Sequence, residues 1–357
     1  MSGNCKGVQM LTKIKKFLSR FLPLPYTRAM EQNRELCSKV ALLQDIINSL
    51  DKRIFEISKQ NCELASSQQQ IKNGIENYKK ETLSGLKALE TRMLRYQPQP
   101  RLGLMEIIIL DHCNLNCKGC VHFSPLAEKI LYPKENIQND LKQLSLLTDG
   151  CLTNLRIMGG EALLHPDLLE ILKTARKYFP KTTINILSNG ILLPTQKQEF
   201  WDICKENNII VAVTKYPIDL DYDNIEKTAN ANKVKFIYFT NSKLITKTLF
   251  KIFIDLTGLQ DPRQKFFNCH RANRSTNFVD GKIYPCPVAA CITNFNRKFG
   301  TSLELEKGDY LDIYKTKDVK EILAFLSKPI PFCRYCKVTQ SHTFPWERSK
   351  QDISEWT

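Results

Sequence analysis

No stretch of this 357-residue sequence strings together the roughly 18 apolar residues that a membrane span requires, although 42% of its residues are hydrophobic. No secretory leader opens it: the N-terminus lacks an unbroken apolar segment followed by a small-residue cleavage site. Both absences predict a cytoplasmic protein, where thiols stay reduced. There is also no arginine-rich tract and no recognised nucleic-acid motif, so the net charge of +15 does not call for a nucleic-acid partner. The charge is uneven. Residues 1–100 carry 17 Lys and Arg against 9 Asp and Glu, and the other 257 residues add only +7. An acidic membrane surface or a phosphorylated substrate would suit that balance.

Cysteine, by contrast, is plentiful. Thirteen of them in a reducing compartment read as ligands rather than bridges. Three stand on one short stretch, "DHCNLNCKGC", as Cys113, Cys117 and Cys120, directly after the apolar run "LMEIIIL". A structural zinc site wants four ligands, usually as two separated pairs. A disulfide framework wants an even count and an oxidising compartment. The stretch fits neither well.

Three sections follow one another along the chain. Residues 1–27 contain "MLTKIKKFLSRFLPLP", with Met10, Ile14, Phe17, Leu18 and Phe21 at helical spacing and no acidic residue. That is the pattern of a short basic helix on an anionic bilayer surface; a helix packed on its own protein is the alternative. Residues 28–95 hold a repeat in which Leu36, Leu43, Leu50, Ile57, Leu64, Ile71 and Tyr78 recur every seven residues. Val40, Ile47, Ile54, Asn61, Gln68 and Ile75 recur three residues before the next member of that series. β-branched residues at the second set and Leu at the first favour a parallel two-stranded coiled coil, and Asn61 would fix its register. A homodimer is therefore expected, with a long helix folded back on the rest of the chain as the alternative. "YQPQPRLG" (96–103) reads as a linker.

Beyond it, short β-rich runs alternate with helical stretches: 104–110, 155–158, 184–187, 209–214 and 234–239. Such alternation predicts an α/β fold of parallel βα units, as an open sheet or a barrel, with its site at the C-terminal ends of the strands. The cysteine loop, "GGE", "SNG" and "TKYP" fall at those ends.

A [4Fe–4S] cluster has four irons with thiolates as usual ligands, so three cysteines leave one iron open to a small molecule. The Cys113-x3-Cys117-x2-Cys120 spacing resembles the defining motif of the radical S-adenosylmethionine (SAM) superfamily. The resemblance implies a partial (β/α)6 barrel over residues 104–260, with SAM chelating the open iron. It further implies reductive cleavage of SAM to a 5'-deoxyadenosyl radical that abstracts a substrate hydrogen. Gly159, Gly160 and Glu161 match the family's "GGE", which receives the methionine ammonium of SAM. Ser188 and Asn189 sit where the family contacts its ribose and carboxylate. Gly119 departs from the family, which usually carries an aromatic or bulky residue there to pack on adenine; His122 or Phe123 would have to replace it.

Four further cysteines, Cys269, Cys286, Cys333 and Cys336, are spaced by 17, 47 and 3 residues. "NFVDGKIYPCP" reads as a β-hairpin turning at Asp280-Gly281 that delivers Cys286. Over residues 261–340 the set resembles the Twitch domain, the shortened relative of the SPASM domain, which binds an auxiliary [4Fe–4S] cluster; zinc in the same thiolates is the rival. In some epimerases of this kind a non-ligand cysteine returns hydrogen to the substrate radical. Cys291 is a candidate for that role, with an alternative ligand or an apolar filler as other readings. The tail, 341–357, is rich in aromatics, for capping the barrel mouth or for docking alone.

Similar proteins linked to bacterial surface-glycan biosynthesis imply a small-molecule or glycan substrate, nucleotide- or lipid-linked. The reaction expected is epimerisation or alcohol dehydrogenation, with flavodoxin or ferredoxin as electron donor, at or near the inner membrane surface. Modification of a ribosomally made peptide is the second enzyme reading. A non-catalytic coiled-coil scaffold is the third.

Overall fold

The computed structural model describes residues 29–149, 152–239, 248–251, 253–274, 276–337 and 342–357. The basic segment expected over 1–27 lies outside them. The chain divides into two compact units, Met1–Lys87 and Ala88–Thr357.

The described residues of the first unit are helical. Helix α1 spans Ala29–Met93, 65 residues without a proline. Along it Leu43, Leu50, Ile57, Leu64 and Ile71 of the heptad series are all exposed, at 48–63%. An apolar stripe of that length is the pattern expected of a helix that meets a partner.

The last turns of α1 belong to the second unit. Gln97 turns into extended backbone ahead of Pro98, as a residue near proline must. Arg95 is buried, with Nη1 donating to the Phe267 carbonyl. The Asn273 amide returns hydrogen bonds to the Arg95 and Gln97 carbonyls at 3.1 and 2.6 Å. The expected linker is thus held at its first residues, and its last two already belong to a strand.

That strand, β1 (Leu102–Ile108), opens a run of five: β2 (Leu152–Met158), β3 (Thr183–Ser188), β4 (Ile209–Val213) and β5 (Phe236–Tyr238). Between them lie α2 (Lys134–Thr148), α3 (Leu168–Tyr178), α4 (Gln198–Glu206) and α5 (Tyr222–Ala231). Adjacent strands pair in parallel in chain order. On its other edge β1 receives β7 (Thr276–Val279), also parallel, followed by β8 (Lys282–Tyr284) and β9 (Leu311–Asp312), both antiparallel. The eight strands form one sheet in the order β5-β4-β3-β2-β1-β7-β8-β9. This parallel-dominated α/β sheet is the arrangement expected of a partial barrel. The β7–β8 turn is at Asp280 and Gly281, with φ of 49° and 70°, the two left-handed residues a tight hairpin needs. β6 (Thr248–Lys251) stands apart and pairs antiparallel with β10 (His342–Pro345).

Period-two alternation sorts the two faces of the sheet. Met105, Ile107 and Ile109 join Leu141, Leu144, Ile171 and Leu172 in a core under the helices. Ile108 faces a second cluster with Phe123, Val288, Phe295, Phe332 and Trp356. Glu106 is in register with Arg156 on one side and Asn277 on the other, and Arg156 with Asn185. A polar row therefore crosses four strands inside a largely apolar sheet. α6 (Pro262–Asn268), α7 (Pro287–Phe299) and α8 (Val319–Leu326) complete the unit.

Candidate active site

The loop leaving β1 is tied down before its first cysteine. Asp111, 9% exposed, accepts hydrogen bonds from the Tyr132 hydroxyl and the Asn294 amide, both at 3.1 Å. Gly119 has φ +63°, a left-handed turn for which glycine is the least strained residue. Successive tight hydrogen bonds, Cys120 N–H to the Cys117 carbonyl and Phe123 N–H to the Cys120 carbonyl, curl the chain around the three thiols.

Each sulfur has donors aimed at it. Cys113 Sγ accepts from Leu115 N–H at 3.4 Å and from the Asn189 amide at 3.6 Å. Cys117 Sγ accepts from the Trp346 indole at 3.1 Å and is hydrogen-bonded by Tyr216. Burial raises Cys120, yet hydrogen bonds and charge from His122, with N–H groups of His122 and Ser124, outweigh it and bring the thiol down to about 7. At Cys113 burial wins and pushes the thiol up to about 12, the Leu115 N–H opposing it. Donors around thiol sulfurs are what thiolate ligands to iron require.

"GGE" packs directly against this loop. Gly160 N–H donates to the Leu110 carbonyl and Glu161 N–H to the His112 carbonyl. A Cβ on Gly160 would lie 1.9 Å from the His112 oxygen, and one on Gly159 2.2 Å from the Leu110 oxygen. In this structure the two glycines admit a neighbouring backbone. Glu161, 1% exposed, accepts from Leu163 N–H at 3.2 Å and from Asn189 N–H at 2.8 Å. Burial raises its carboxyl to about 7 despite those donors and Ser188. Asn189 completes the link: its amide also donates to Asn114 Oδ1 at 2.7 Å. The sequence motifs on β1, β2 and β3 thus meet through Glu161 and Asn189.

They meet around a cavity of about 340 Å³ lined by the three cysteines, Gly159, Gly160, Glu161, Ser188 and Asn189. Glu106 and Met158 also line it, with His122, Tyr216 and Arg271. His122 Nε2, Ser124 Oγ and Arg271 Nε are buried there without a hydrogen-bond partner, as expected of walls built for a polar ligand. Glu106 is salt-bridged to Arg156 at 2.9 Å, and the Arg156 guanidinium lies 4.7 Å from the Phe239 ring centre. Of the two residues considered for adenine, His122 lines the cavity, whereas Phe123 is buried against Phe295 and Trp356. Lys215 turns away, with Nζ 4.0 Å from the Tyr238 ring centre.

The second set of cysteines also converges. Cys269 caps the end of α6, Cys286 precedes α7, Cys333 lies within a single 3-10 turn, Pro331–Tyr335, and Cys336 caps that turn. All four line one apolar cavity of about 50 Å³. Burial raises Cys286 against two N–H donors of α7, Ala289 and Val288. Burial takes Cys333 up to about 12. The Cys333 turn is anchored by Asp309, 0% exposed, which accepts Phe332 N–H at 2.6 Å. Among the described residues no group of three or more His, Cys, Asp or Glu side chains closes around a single metal ion. Cys291 sits on α7, 5% exposed in the second core cluster, and lines neither cavity. Its thiol is held high by burial, with Asp111, Cys120 and Cys286 adding to it.

Sequence reasoning missed Glu106, Arg156, Asn114 and Asp309. It noticed the aromatic tail but left open what the tail does. Residues 346–349 pair with the cysteine loop, with Lys118 N–H on the Glu347 carbonyl at 2.9 Å and Ser349 N–H on the Asn116 carbonyl at 2.8 Å.

The model of the radical SAM superfamily matches residues 107–254. The chain carries a radical SAM domain. This family uses a [4Fe–4S] cluster and SAM, and the donors and unpaired polar atoms around the larger cavity fit both. The chain is similar to GTP 3',8-cyclase 1 of Mycobacterium tuberculosis, 30% identical over 100 residues, 26% of this chain and 27% of that protein. It is also similar to GTP 3',8-cyclase of Campylobacter curvus, 26% identical over 137 residues, 37% of each. The chain thus aligns with only about a quarter to two fifths of these curated relatives. Among solved structures, BtrN in complex with AdoMet and 2-DOIA aligns with 66% of this chain and 93% of its own, at 16% identity and a TM-score of 0.43. Streptococcus suis SuiB bound to precursor peptide SuiA aligns with 68% and 69%, at 12% identity and a TM-score of 0.38. Among the described residues no helix is long and apolar enough to cross a membrane.

Proposed function

We propose that this radical SAM enzyme removes a hydrogen atom from a carbohydrate-type small molecule and completes an alcohol oxidation. Cys113, Cys117 and Cys120 would hold the cluster, leaving one iron for SAM. Bound together, cluster and SAM supply reductive cleavage of the sulfonium and, with it, hydrogen-atom removal from the substrate. Glu161 would receive the SAM ammonium, with Gly159 and Gly160 shaping its approach and Ser188 and Asn189 holding the ribose and carboxylate end. Asn189 is held by Asn114 and donates to Cys113, so one residue aligns both ends of that site. The observation that carries the reading is the meeting of the three thiols, Glu161, Ser188 and Asn189 on one cavity.

The substrate class is supported by the cavity's polar lining. Glu106, fixed by Arg156, and Arg271 with its unpaired buried Nε offer directional partners for hydroxyl and phosphate groups. A peptide substrate would be served mainly by backbone-pairing edges or apolar pockets. For the four-thiol site, an auxiliary [4Fe–4S] cluster is favoured over zinc. Thiolates around zinc stand about 2.3 Å from one ion, whereas these four surround a cavity. After the C–H hydrogen atom is removed, such a cluster would accept the remaining electron while a base takes the hydroxyl proton, so that an alcohol becomes a ketone. Epimerisation through Cys291 is the second branch, and the absence of Cys291 from the cavity lining favours oxidation. The exposed heptad stripe of α1 supports a homodimer, flavodoxin or ferredoxin would supply electrons, and the basic segment 1–27 would rest on an anionic membrane surface.

The test follows deuterium from specifically labelled sugars and nucleotide sugars into 5'-deoxyadenosine in the anaerobically reconstituted, reduced protein. Transfer from one position names substrate and carbon together. Rapid SAM cleavage with no transfer from any sugar, but transfer from a peptide, would refute the carbohydrate reading.

A further inference from the structure

The tail segment 346–356 contacts the cysteine loop at two points with two indoles. Trp346 Nε1 donates to Cys117 Sγ at 3.1 Å, and Trp356 Nε1 to the Cys120 carbonyl at 2.9 Å. Neither contact is incidental to a loose tail. Cys117 and Arg348 form an antiparallel bridge, flanked by the backbone hydrogen bonds of Lys118 and Ser349. Lys118 Nζ closes the register on Glu347 at 2.8 Å. The Trp346 ring is set edge-on against Tyr216 at 5.8 Å between centres, and Tyr216 reaches the same sulfur. Trp356 is 1% exposed between Phe123 and Phe299.

We propose that Trp346 is a positioning residue for the cluster: its indole N–H, seated on Cys117 by the tail, fixes that thiolate and raises the cluster's reduction potential. This rests on the assignment of the three cysteines above. A thiolate bound to iron keeps lone pairs that accept hydrogen bonds, and such donors tune iron–sulfur potentials. The reduced cluster carries one more negative charge, so a donor stabilises it more than the oxidised form. The donors on Cys113 among the described residues stand farther off, at 3.4 and 3.6 Å, and the tail's own indole donor is on Cys117.

Trp346→Phe keeps the ring and removes the donor. In the full chain, reconstituted anaerobically, a potentiometric titration is followed by electron paramagnetic resonance with and without SAM. The signal that changes on adding SAM belongs to the three-cysteine cluster. The variant is expected to keep its iron content, show that signal at a more negative potential, and lose iron to a chelator at least tenfold faster. An unchanged potential for a SAM-responsive signal overturns the role of Trp346 while leaving the site assignment standing. No SAM-responsive signal even in the unsubstituted protein overturns the site assignment itself, and this inference with it. A measurement on the unsubstituted chain guards against a variant that does not fold. With 15N-labelled tryptophan, the SAM-responsive cluster is expected to show a weak nitrogen coupling, and its absence counts against the proposal.

Discussion

Glu161 carries the prediction most tightly bound to geometry. Its carboxyl is 1% exposed and titrates at about 7 instead of the ordinary 4.5, because burial penalises its charged form. That difference corresponds to about 3 kcal/mol against the ionised state in the SAM-free protein. A carboxyl raised in the fold stabilises the fold below its unfolded value, near 4.5. That contribution fades as the pH rises through 7. Two backbone N–H groups, of Leu163 and Asn189, nonetheless point at its oxygens. An ammonium placed against it would draw the carboxyl back down and favour the ionised form. SAM binding should therefore release protons near pH 7, and its dissociation constant should rise about tenfold per pH unit below 7. Glu161→Gln should bind SAM at least tenfold more weakly at pH 8, with an affinity that no longer follows pH. One of its amide hydrogens would face a backbone N–H, at a cost of about 1–3 kcal/mol. Calorimetry at pH 6.0–8.5 in two buffers of different ionisation enthalpy measures affinity and proton release together. A wild-type affinity independent of pH, with no proton release, would refute the pairing of Glu161 with the ammonium.

Iron and sulfide analysis should give about eight irons per chain, the sum of two four-iron clusters. Cys333→Ala with Cys336→Ala should leave about four and retain SAM cleavage while abolishing substrate oxidation; an unchanged iron count would remove the second cluster. Gly160→Ala places a methyl 1.9 Å from the His112 oxygen. Since backbone must move, a destabilisation on the order of 3 kcal/mol is expected in denaturant melts, with loss of iron at the three-cysteine site. Leu50→Asp with Ile57→Asp puts charges on the heptad stripe, and sedimentation equilibrium should fall from twice 41.3 kDa to 41.3 kDa. A wild-type protein already at 41.3 kDa would remove the dimer.

Much of the site was legible because its chemistry is local. The cluster proposed for Cys113, Cys117 and Cys120 would need ligands that one short loop can bring together, so spacing carries the message. The "GGE" and "SNG" motifs were readable for a related reason: parallel βα units bring successive strand ends to one edge, and the strands themselves declare their period in sequence. The Asp280-Gly281 hairpin was written in two residues that tolerate left-handed backbone.

What the sequence alone determined is therefore the α/β class with its parallel βα units, the long heptad helix, and the radical SAM motif. Only tertiary structure decided the rest. Glu106 and Arg156 are 50 residues apart and become partners through the register of β1 with β2. Asp309 reaches the Cys333 turn from 23 residues away, and Cys269, Cys286, Cys333 and Cys336 come to one cavity from three different elements. Trp346 finds Cys117 across 229 positions because the tail pairs with the cysteine loop edge to edge. Such contacts leave no spacing behind. They follow from which surfaces must bury together and which backbone edges must be satisfied, and both are settled only when the whole chain has packed.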